Sequence, residues 1–480
     1  MIFSLIVCCD KNYGIGKDNQ LPWNYSKDIE FFKRKTIENI DNNKINVVIM
    51  GNNTYKSIPN YYKPLKNRFN IILSNTIIND NNENLKYFNN IHDILLFLHE
   101  NKELFNNVYI IGGNKIYNLF LDLHIINNIY LTHICDIDYN CDTFFNFNKY
   151  KKYYKFSQLD IYYEYDNLSN LEFKKKNKLI FQKYKYINKD EINYLNTIKK
   201  VLNKGIYKID RTKVGTLSIF GKSFKYNIRN YRLPLFTHRK MFYRGIIEEL
   251  LFFISGNTNT KLLEEKNVNI WKGNTSREFL DSRGLNNLHE GDLGAGYSFQ
   301  LRHFGAEYID CNSDYTNQGF DQLNYVINLI KTDPNSRRIL FSYWNPLAMK
   351  NMVLPSCHLL YQFHVNTDKN ELSCSFYQRS SDFVLAANFN IVSAAVLTFM
   401  LCHITGYKPG KIIHNIGDLH IYKNHIEEAK KMLDNNPKHF PLFYINDPNN
   451  NIKNIEDFKY SDFKILFYNS YKKYNFMMAI

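Results

Sequence analysis

The chain reads as α/β, opening with a mostly parallel sheet flanked by helices. Two observations predict this. Short apolar, β-branched runs at 1–9, 46–50, 69–73, 108–111 and 128–134 alternate with helix-like segments, the pattern of a sheet covered on both faces. Glycine turns follow two of these runs: Gly51 after Val47-Val48-Ile49-Met50, and Gly112-Gly113 after Tyr109-Ile110-Ile111 and before the helix-like NKIYNLFLD. A strand that feeds a glycine turn and a helix N-terminus leaves backbone N–H groups open to an anion, so the second turn is a candidate phosphate site. A Gly-Gly pair taken alone is most often a plain turn.

A length of 480 residues corresponds to about three average domains, or to two large α/β units. Residues 182–200 pass from strand-like to charged and helix-like without a Gly, Ser or Pro linker. The expected division is therefore 1–186, a short junction at 187–200, and 201–480. The net charge of +15 admits a nucleic-acid partner, but no RRM, KH or zinc-finger signature accompanies it. Phosphorylated and polycarboxylate small molecules favour a positive protein equally well and are the preferred reading. Eight cysteines without a Cys-x-x-Cys fit neither a disulfide framework nor a zinc site, so a reducing compartment and no metal are expected. The opening MIFSLIVCC has no basic leader and reads as a buried strand. The apolar stretch Ile391 to Leu401 is short of the roughly 20 residues that cross a bilayer. Cytoplasmic residence without membrane contact follows as the expectation.

Gly14-Ile15-Gly16, Leu21-Pro22-Trp23, Asp28, Phe31-Phe32-Lys33 and Thr36 form the first motif set. Asp28 begins a helix-like segment with largely apolar neighbours, which places its carboxylate in a semi-buried cleft; the plainer alternative is a charge complementing a helix dipole. Met50-Gly51-x-x-Thr54, Ser57-Ile58-Pro59, Pro64-Leu65-x-x-Arg68, Ile72-Leu73-Ser74, Ile111-Gly112-Gly113-x-x-x-Tyr117 and Thr132 follow in order. Residues 1–186 thus resemble dihydrofolate reductase. The resemblance implies that Asp28 holds the pteridine and promotes protonation at N5 while hydride reaches C6 from a nicotinamide. It implies folate contacts at Phe32, Arg68 and Thr132, with Arg68 forking onto the glutamate carboxylate; without it, Arg68 is an ordinary surface arginine. NADPH is the implied cofactor, lying along Cys8, Ile15, Gly16, Gly51, Thr54, Ser74, Ile111, Gly112, Gly113 and Tyr117. One departure bears on it: the family's Arg or Lys after Met-Gly is Asn52 here, and Lys56 is the nearest replacement.

Further along, Leu354-Pro355-x-Cys357-His358 sits between apolar strand-like runs and is followed by Tyr377-Gln378-Arg379-Ser380-x-Asp382 and Phe389-Asn390-Ile391. Most cysteines are inert core residues. A thiol with a forked guanidinium and a hydroxyl about twenty positions on suits nucleophilic chemistry on a phosphorylated small molecule. Glu249 lies in the apolar GIIEELLFFIS, where burial would raise its pKa, whereas its neighbour Glu248 reads as the exposed face. With Asp210-Arg211-Thr212, Asn269-Ile270-Trp271, Asp333-Pro334-x-Ser336-Arg337-Arg338 and Gly417-Asp418-x-His420-Ile421-Tyr422, residues from about 190 to 480 resemble thymidylate synthase.

That resemblance implies an α+β domain with a large sheet at a homodimer interface. It implies attack of Cys357 on C6 of dUMP, with 5,10-methylenetetrahydrofolate as co-substrate. A phosphate grip follows from Arg211, Arg379 and Ser380, with Arg337 and Arg338 supplied by the other subunit, and further dUMP contacts from His358, Gln378, Asp382, Asn390, His420 and Tyr422. Asp382 and Trp271 would meet the folate, Tyr297 the C5 proton, and Glu249 would relay protons. Several neighbours depart from the family pattern: Ala295, Gly296, Ser298, Leu301, Ala386, Asn388 and Leu419. They read as altered pocket walls, with folate affinity expected to suffer. Together the resemblances imply a chain that makes dTMP and regenerates tetrahydrofolate. A working reductase on a weakened synthase scaffold is the second reading, and a basic nucleic-acid-binding protein the third.

Overall fold

The computed structural model describes residues 1–39, 41, 43–76, 82–168, 176–210 and 212–477. Arg211 lies outside them. The chain divides into two compact units, Met1–Lys189 and Asp190–Ile480.

In the first unit the strands are β1 (Ile2–Cys9), β2 (Gly14–Gly16), β3 (Ile45–Gly51), β4 (Phe69–Leu73), β5 (Leu85–Phe88), β6 (Phe105–Gly112), β7 (Asn128–Ile134), β8 (Thr143–Phe144), β9 (Tyr154–Tyr165) and β10 (Lys176–Tyr186). Eight of them form one sheet in the order β5-β4-β3-β6-β1-β7-β10-β9. The pairings from β5 through β7 are all parallel, while β10 runs antiparallel to both β7 and β9. Central strands β1 and β3 are almost continuously buried, which is why they read as unbroken apolar runs rather than as alternating ones. Parallel strands place their C-terminal ends on one edge, so Cys8, Gly51, Ser74 and Gly112 arrive together there although the sequence scatters them. Of the long hairpin β9–β10, only the end of β10 from 182 reads as strand-like in the sequence; β9 is the sheet's edge and exposed along most of its length, so neither burial nor alternation marks it.

The second unit holds β11 (Ile206–Lys208), β12 (Thr216–Asn227), β13 (Leu340–Ser342), β14 (His358–Asn366), β15 (Glu371–Asp382), β16 (Lys408–Tyr422), β17 (Leu442–Ile445) and β18 (Phe463–Leu466). Six form a sheet in the order β11-β12-β16-β15-β14-β13, and β17 pairs with β18. The residues read as a junction form the helix Lys189–Lys204, whose Tyr194, Leu195, Ile198 and Val201 enter the core of the second unit. Glu191 in its first turn is fully buried and accepts from Thr237 N and Oγ1 and from His238 N, which ties the helix down.

At the centre of that core runs the helix Ala387–Thr405, ended by Gly406 at φ +78°, a left-handed conformation that favours glycine. Its 19 residues correct the sequence expectation, because the helix extends past the apolar stretch at both ends to a length that could span a bilayer. It is instead a core helix, buried over 72% of its apolar window.

Candidate active sites

A cleft of about 2390 Å³ opens at the strand-end edge of the first unit. Asp28 stands in the first turn of the helix Ser26–Ile37 and lines it, with Cys8, Ile15, Gly16 and Phe32. Burial pushes the Asp28 carboxyl up to about 6, partly offset by the nearby polar groups of Thr132 and Cys8, which favour the ionised form. Thr132 is 1% exposed and sits on β7 beside Cys8. Arg68 is no surface arginine. It is 6% exposed, with Nε on the Lys66 carbonyl (2.9 Å) and Nη1 on Thr36 Oγ1 (2.9 Å), and burial lowers its pKa to about 10.

Gly51, Thr54, Ser74, Ile111, Gly112, Gly113 and Tyr117 line the cleft farther along the same edge. A Cβ added at Gly112 or Gly113 would come within 3.3 Å of Thr54, and Gly112 holds φ +141°, so this cradle exists because both positions lack a side chain. Gly113 caps the nine-residue helix Asn114–Asp122. Backbone N–H groups at a helix start and the Thr54 hydroxyl are the donor set that a dinucleotide pyrophosphate needs, and the residues fit such a group. Lys56, the expected replacement for the missing cation, does not line the cleft among the described residues; Lys115 does, with Ser74, Asn75 and Thr76.

In the second unit, β15 and β16 are parallel, so their C-terminal ends meet and pair Ser380 with Asp418 and Asp382 with His420. Antiparallel β14 begins beside them, His358 opposite Gln378. This topology brings the cysteine to the arginine. Arg379 Nη2 lies 3.6 Å from Cys357 Sγ, and the guanidinium is oriented by the Pro355 and Ser356 carbonyls, both at 2.9 Å. The Cys357 N–H donates to Tyr297 Oη at 2.8 Å. Tyr297 stacks on His358 with centroids 4.4 Å apart, and burial drives the pKa of its phenol well up and that of the His358 imidazole down to about 3.

Trp271 Nε1 donates to Glu249 Oε1 at 2.8 Å; burial raises this carboxyl to about 7, partly offset by the indole N–H. The exposure expected for Glu248 is overturned: it is 6% exposed and accepts from Lys266 Nζ at 2.8 Å. Gln378 is buried with Oε1 2.8 Å from His414 Nε2, a partner that no sequence signal marked. His420 is buried, 3.2 Å from Asp418 and edge-on to Tyr422, while Ser380 and Asn390 are half-buried. His425, three residues beyond Tyr422, faces Asp382 at 3.5 Å and the Met477 carbonyl at 2.7 Å. Burial works against its protonation, but the Asp382 carboxylate outweighs that and holds the imidazole above its ordinary value.

Arg337 and Arg338 are exposed on the loop before β13. Phe363 N bonds the Ile339 carbonyl, so the pair lies level with His364, seven residues up the strand from Cys357, or about 20 Å at strand rise.

Most of the altered positions are not cleft walls. Leu301 and Leu419 are about 1% exposed or less and join the main core, Ala295 is buried in a second apolar cluster, and Ser298 is fully buried. Asn388 accepts from Phe236 N at 3.0 Å and donates to the Pro234 carbonyl at 2.8 Å. Asn388→Ala orphans two buried backbone groups and is expected to destabilise the second unit by about 2–4 kcal/mol in denaturant titration, with folate affinity unchanged. A loss of folate binding without loss of stability would restore these positions to the pocket wall.

Two unrelated folds, each gathering an ionisable cluster at one edge of its sheet, make this an enzyme with two active centres. The family model for dihydrofolate reductase matches residues 2–178 and that for thymidylate synthase residues 192–480. Similar relatives include bifunctional dihydrofolate reductase-thymidylate synthase 2 of Arabidopsis thaliana, 41% identical over all of this chain and 88% of the relative. The bifunctional enzyme of Paramecium tetraurelia is also 41% identical, over 100% and 99%, and that of Leishmania amazonensis 36%, over 100% and 95%. The chain belongs to the bifunctional dihydrofolate reductase-thymidylate synthases, uniting an oxidoreductase and a methyltransferase of folate and dTMP metabolism.

Proposed function

We propose that Cys357 is the synthase nucleophile and Asp28 the proton-handling carboxylate of the reductase. The observation that carries the synthase assignment is the Arg379 guanidinium 3.6 Å from the Cys357 sulfur, the positive charge that a thiolate nucleophile requires. The sulfur bonds C6 of dUMP, and the ring's double-bond electron pair moves to C5, which attacks the one-carbon unit of 5,10-methylenetetrahydrofolate as its bonds to the folate nitrogens break in turn. Loss of the C5 proton expels tetrahydrofolate, whose hydride reduces the exocyclic methylene to methyl as the thiolate leaves C6, giving dTMP and dihydrofolate. Arg379, Ser380 and Arg211 grip the phosphate, His358, Gln378 and Asn390 present donors and acceptors to the ring, and His420 and Tyr422 meet the sugar. Glu249, titrating near neutrality, relays protons, Tyr297 stands at the C5 proton, and Asp382 and Trp271 meet the folate. Arg337 and Arg338, about 20 Å from the cysteine of their own chain, serve the other subunit of a homodimer. Exposed Phe220 and Tyr377 on the sheet support such a partner surface.

In the reductase, Asp28 and Thr132 orient the pteridine, Phe32 packs on it, and Arg68 holds the glutamate carboxylate. The nicotinamide cofactor supplies the hydride when bound. Thr54, Gly112 and Gly113 would hold its pyrophosphate, and Ser74 with Lys115 its 2′-phosphate, which selects NADPH. Michaelis constants for NADPH are expected to be at least about tenfold below those for NADH, the scale of one charge-assisted hydrogen bond; equal constants overturn the preference. The paired function is tested by supplying dUMP and methylenetetrahydrofolate alone: dTMP and dihydrofolate accumulate in equal amounts, and NADPH then converts the dihydrofolate. Dihydrofolate that NADPH leaves untouched would remove the reductase half. The cytoplasm, free of membrane and nucleic-acid partners, is the proposed setting.

A further inference from the structure

Three adjacent strands of the second unit, β14, β15 and β16, bring a row of polar side chains together beside Cys357. On β15, Phe376 and Gln378 share one face, and register sets Phe376 beside His414 on β16 and Gln378 opposite His358 on β14. His414 is 0% exposed and stacks on Phe376 with ring centroids 4.3 Å apart, while Phe224 of β12 flanks it from the other neighbouring strand. Its Nε2 lies 2.8 Å from Gln378 Oε1. A carboxamide oxygen carries no hydrogen, so Nε2 is the donor and bears the ring proton. Nδ1 is then a bare lone pair, sealed in the interior without a partner among the described residues. Burial, with His358 nearby, lowers the pKa of the ring to about 3, so the imidazole stays neutral and keeps its single N–H at neutral pH. The Gln378 amide, on a residue 2% exposed, thus has one orientation, with its oxygen toward His414 and its NH2 away from it. Among the described residues nothing takes up those two N–H donors, and unlike His414 Nδ1 the amide nitrogen is not sealed from solvent.

We infer that His414 is a positioning residue of the synthase: as an Nε2–H donor it fixes the Gln378 amide so that the nucleotide meets an N–H donor there rather than a carbonyl. That polarity favours a ligand acceptor, such as a ring carbonyl oxygen of uracil, over a ligand amino group. An apolar ring of similar size would keep the stacking on Phe376 but leave the amide free to turn either end outward. The inference rests on the reading of Gln378 as a contact to the dUMP ring.

Equilibrium binding of dUMP to the full chain tests this without turnover. His414→Phe is expected to weaken binding by about tenfold, the scale of one buried hydrogen bond. His414→Gln, whose amide nitrogen can take the place of Nε2 and donate, is expected to bind within about threefold of wild type. Because His414 acts through Gln378, the two are not additive: His414→Phe adds nothing to the loss that Gln378→Leu causes alone, whereas a role in packing only would multiply the losses. Wild-type binding by His414→Phe, equal losses in His414→Phe and His414→Gln, or multiplied losses in the double variant each overturn the proposal. If His414→Phe does not fold, His414→Gln carries the test: binding near wild type supports the donor role, and a loss matching that of Gln378→Leu overturns it. Gln378→Leu separates the two levels. If it binds dUMP as wild type does, the reading of Gln378 fails; if it loses affinity while His414→Phe keeps it, only the role of His414 does.

Discussion

Cys357→Ala is expected to lower dTMP formation by at least about 10³-fold while dihydrofolate reduction by the same sample stays at wild-type rate. The specificity of that loss follows from how the site is built. Arg379 is held by the Pro355 and Ser356 carbonyls rather than by the sulfur, so the guanidinium stays in place when the thiol is gone and dUMP still binds. Binding without turnover separates a missing nucleophile from a collapsed pocket. Mixing this variant with one carrying Arg337→Ala and Arg338→Ala extends the test to the dimer. Each alone is inactive as a synthase, but a mixed dimer contains one site with an intact cysteine and intact partner arginines, so dTMP formation returns. Failure of the mixture, with both proteins shown to exchange subunits, would place the arginines outside the site. Wild-type turnover by Cys357→Ala would remove the nucleophile assignment altogether.

Asp28→Asn is the mirror experiment: reduction falls by about 10²–10⁴-fold, and dTMP formation persists. Its stability effect runs the other way. The Asp28 carboxyl titrates near 6 in the folded protein because burial disfavours its charge, against the ordinary 3.8. Between those values the folded state holds a proton that the unfolded chain has released, so the stability of the first unit declines as pH rises through about 4 to 6. Above that window the carboxylate is ionised at a cost of as much as about 3 kcal/mol, and the amide removes the cost. The variant is therefore expected to be catalytically poor yet more stable than wild type at pH 7, and equal to it near pH 3. Thermal unfolding of both proteins across that range checks it; a variant less stable at neutral pH would show that Asp28 is held by interactions stronger than its desolvation. Rate should also fall with rising pH above about 6 in wild type and lose that dependence in Asp28→Asn, since a proton donor works only while protonated.

Local chemistry makes the site motifs readable in the sequence itself. Leu21-Pro22-Trp23 ahead of Asp28, the glycines that close β3 and β6, and Cys357-His358 with Gln378-Arg379-Ser380-x-Asp382 are short runs whose residue types are dictated by what each must do. The parallel core strands are legible for a similar reason, because burial on both faces leaves an uninterrupted apolar run such as IFSLIVCC. The exposed edge strand β9 carries no such mark. Glu248 and Glu249 show the limit most plainly. Adjacent on one helix, they read as one outward and one inward carboxylate, yet Glu248 is buried and Glu249 half-buried, one answered by Lys266 and the other by Trp271. Which partners reach a helix face depends on loops distant in sequence, and a single helix does not encode that.

The same division holds for the whole protein. Sequence alone determined that there are two enzyme domains and which side chains are the candidates for their chemistry, since strand, turn and motif are properties of neighbouring residues. Tertiary structure decided what those side chains feel. Only folding set Arg379 against the Cys357 sulfur, withdrew Asp28 and Glu249 from water far enough to titrate near neutrality, and sent Leu301, Leu419 and Asn388 into the core rather than the pocket. Desolvation and register are sums over contacts between strands tens of residues apart, and they exist only once the sheet has closed.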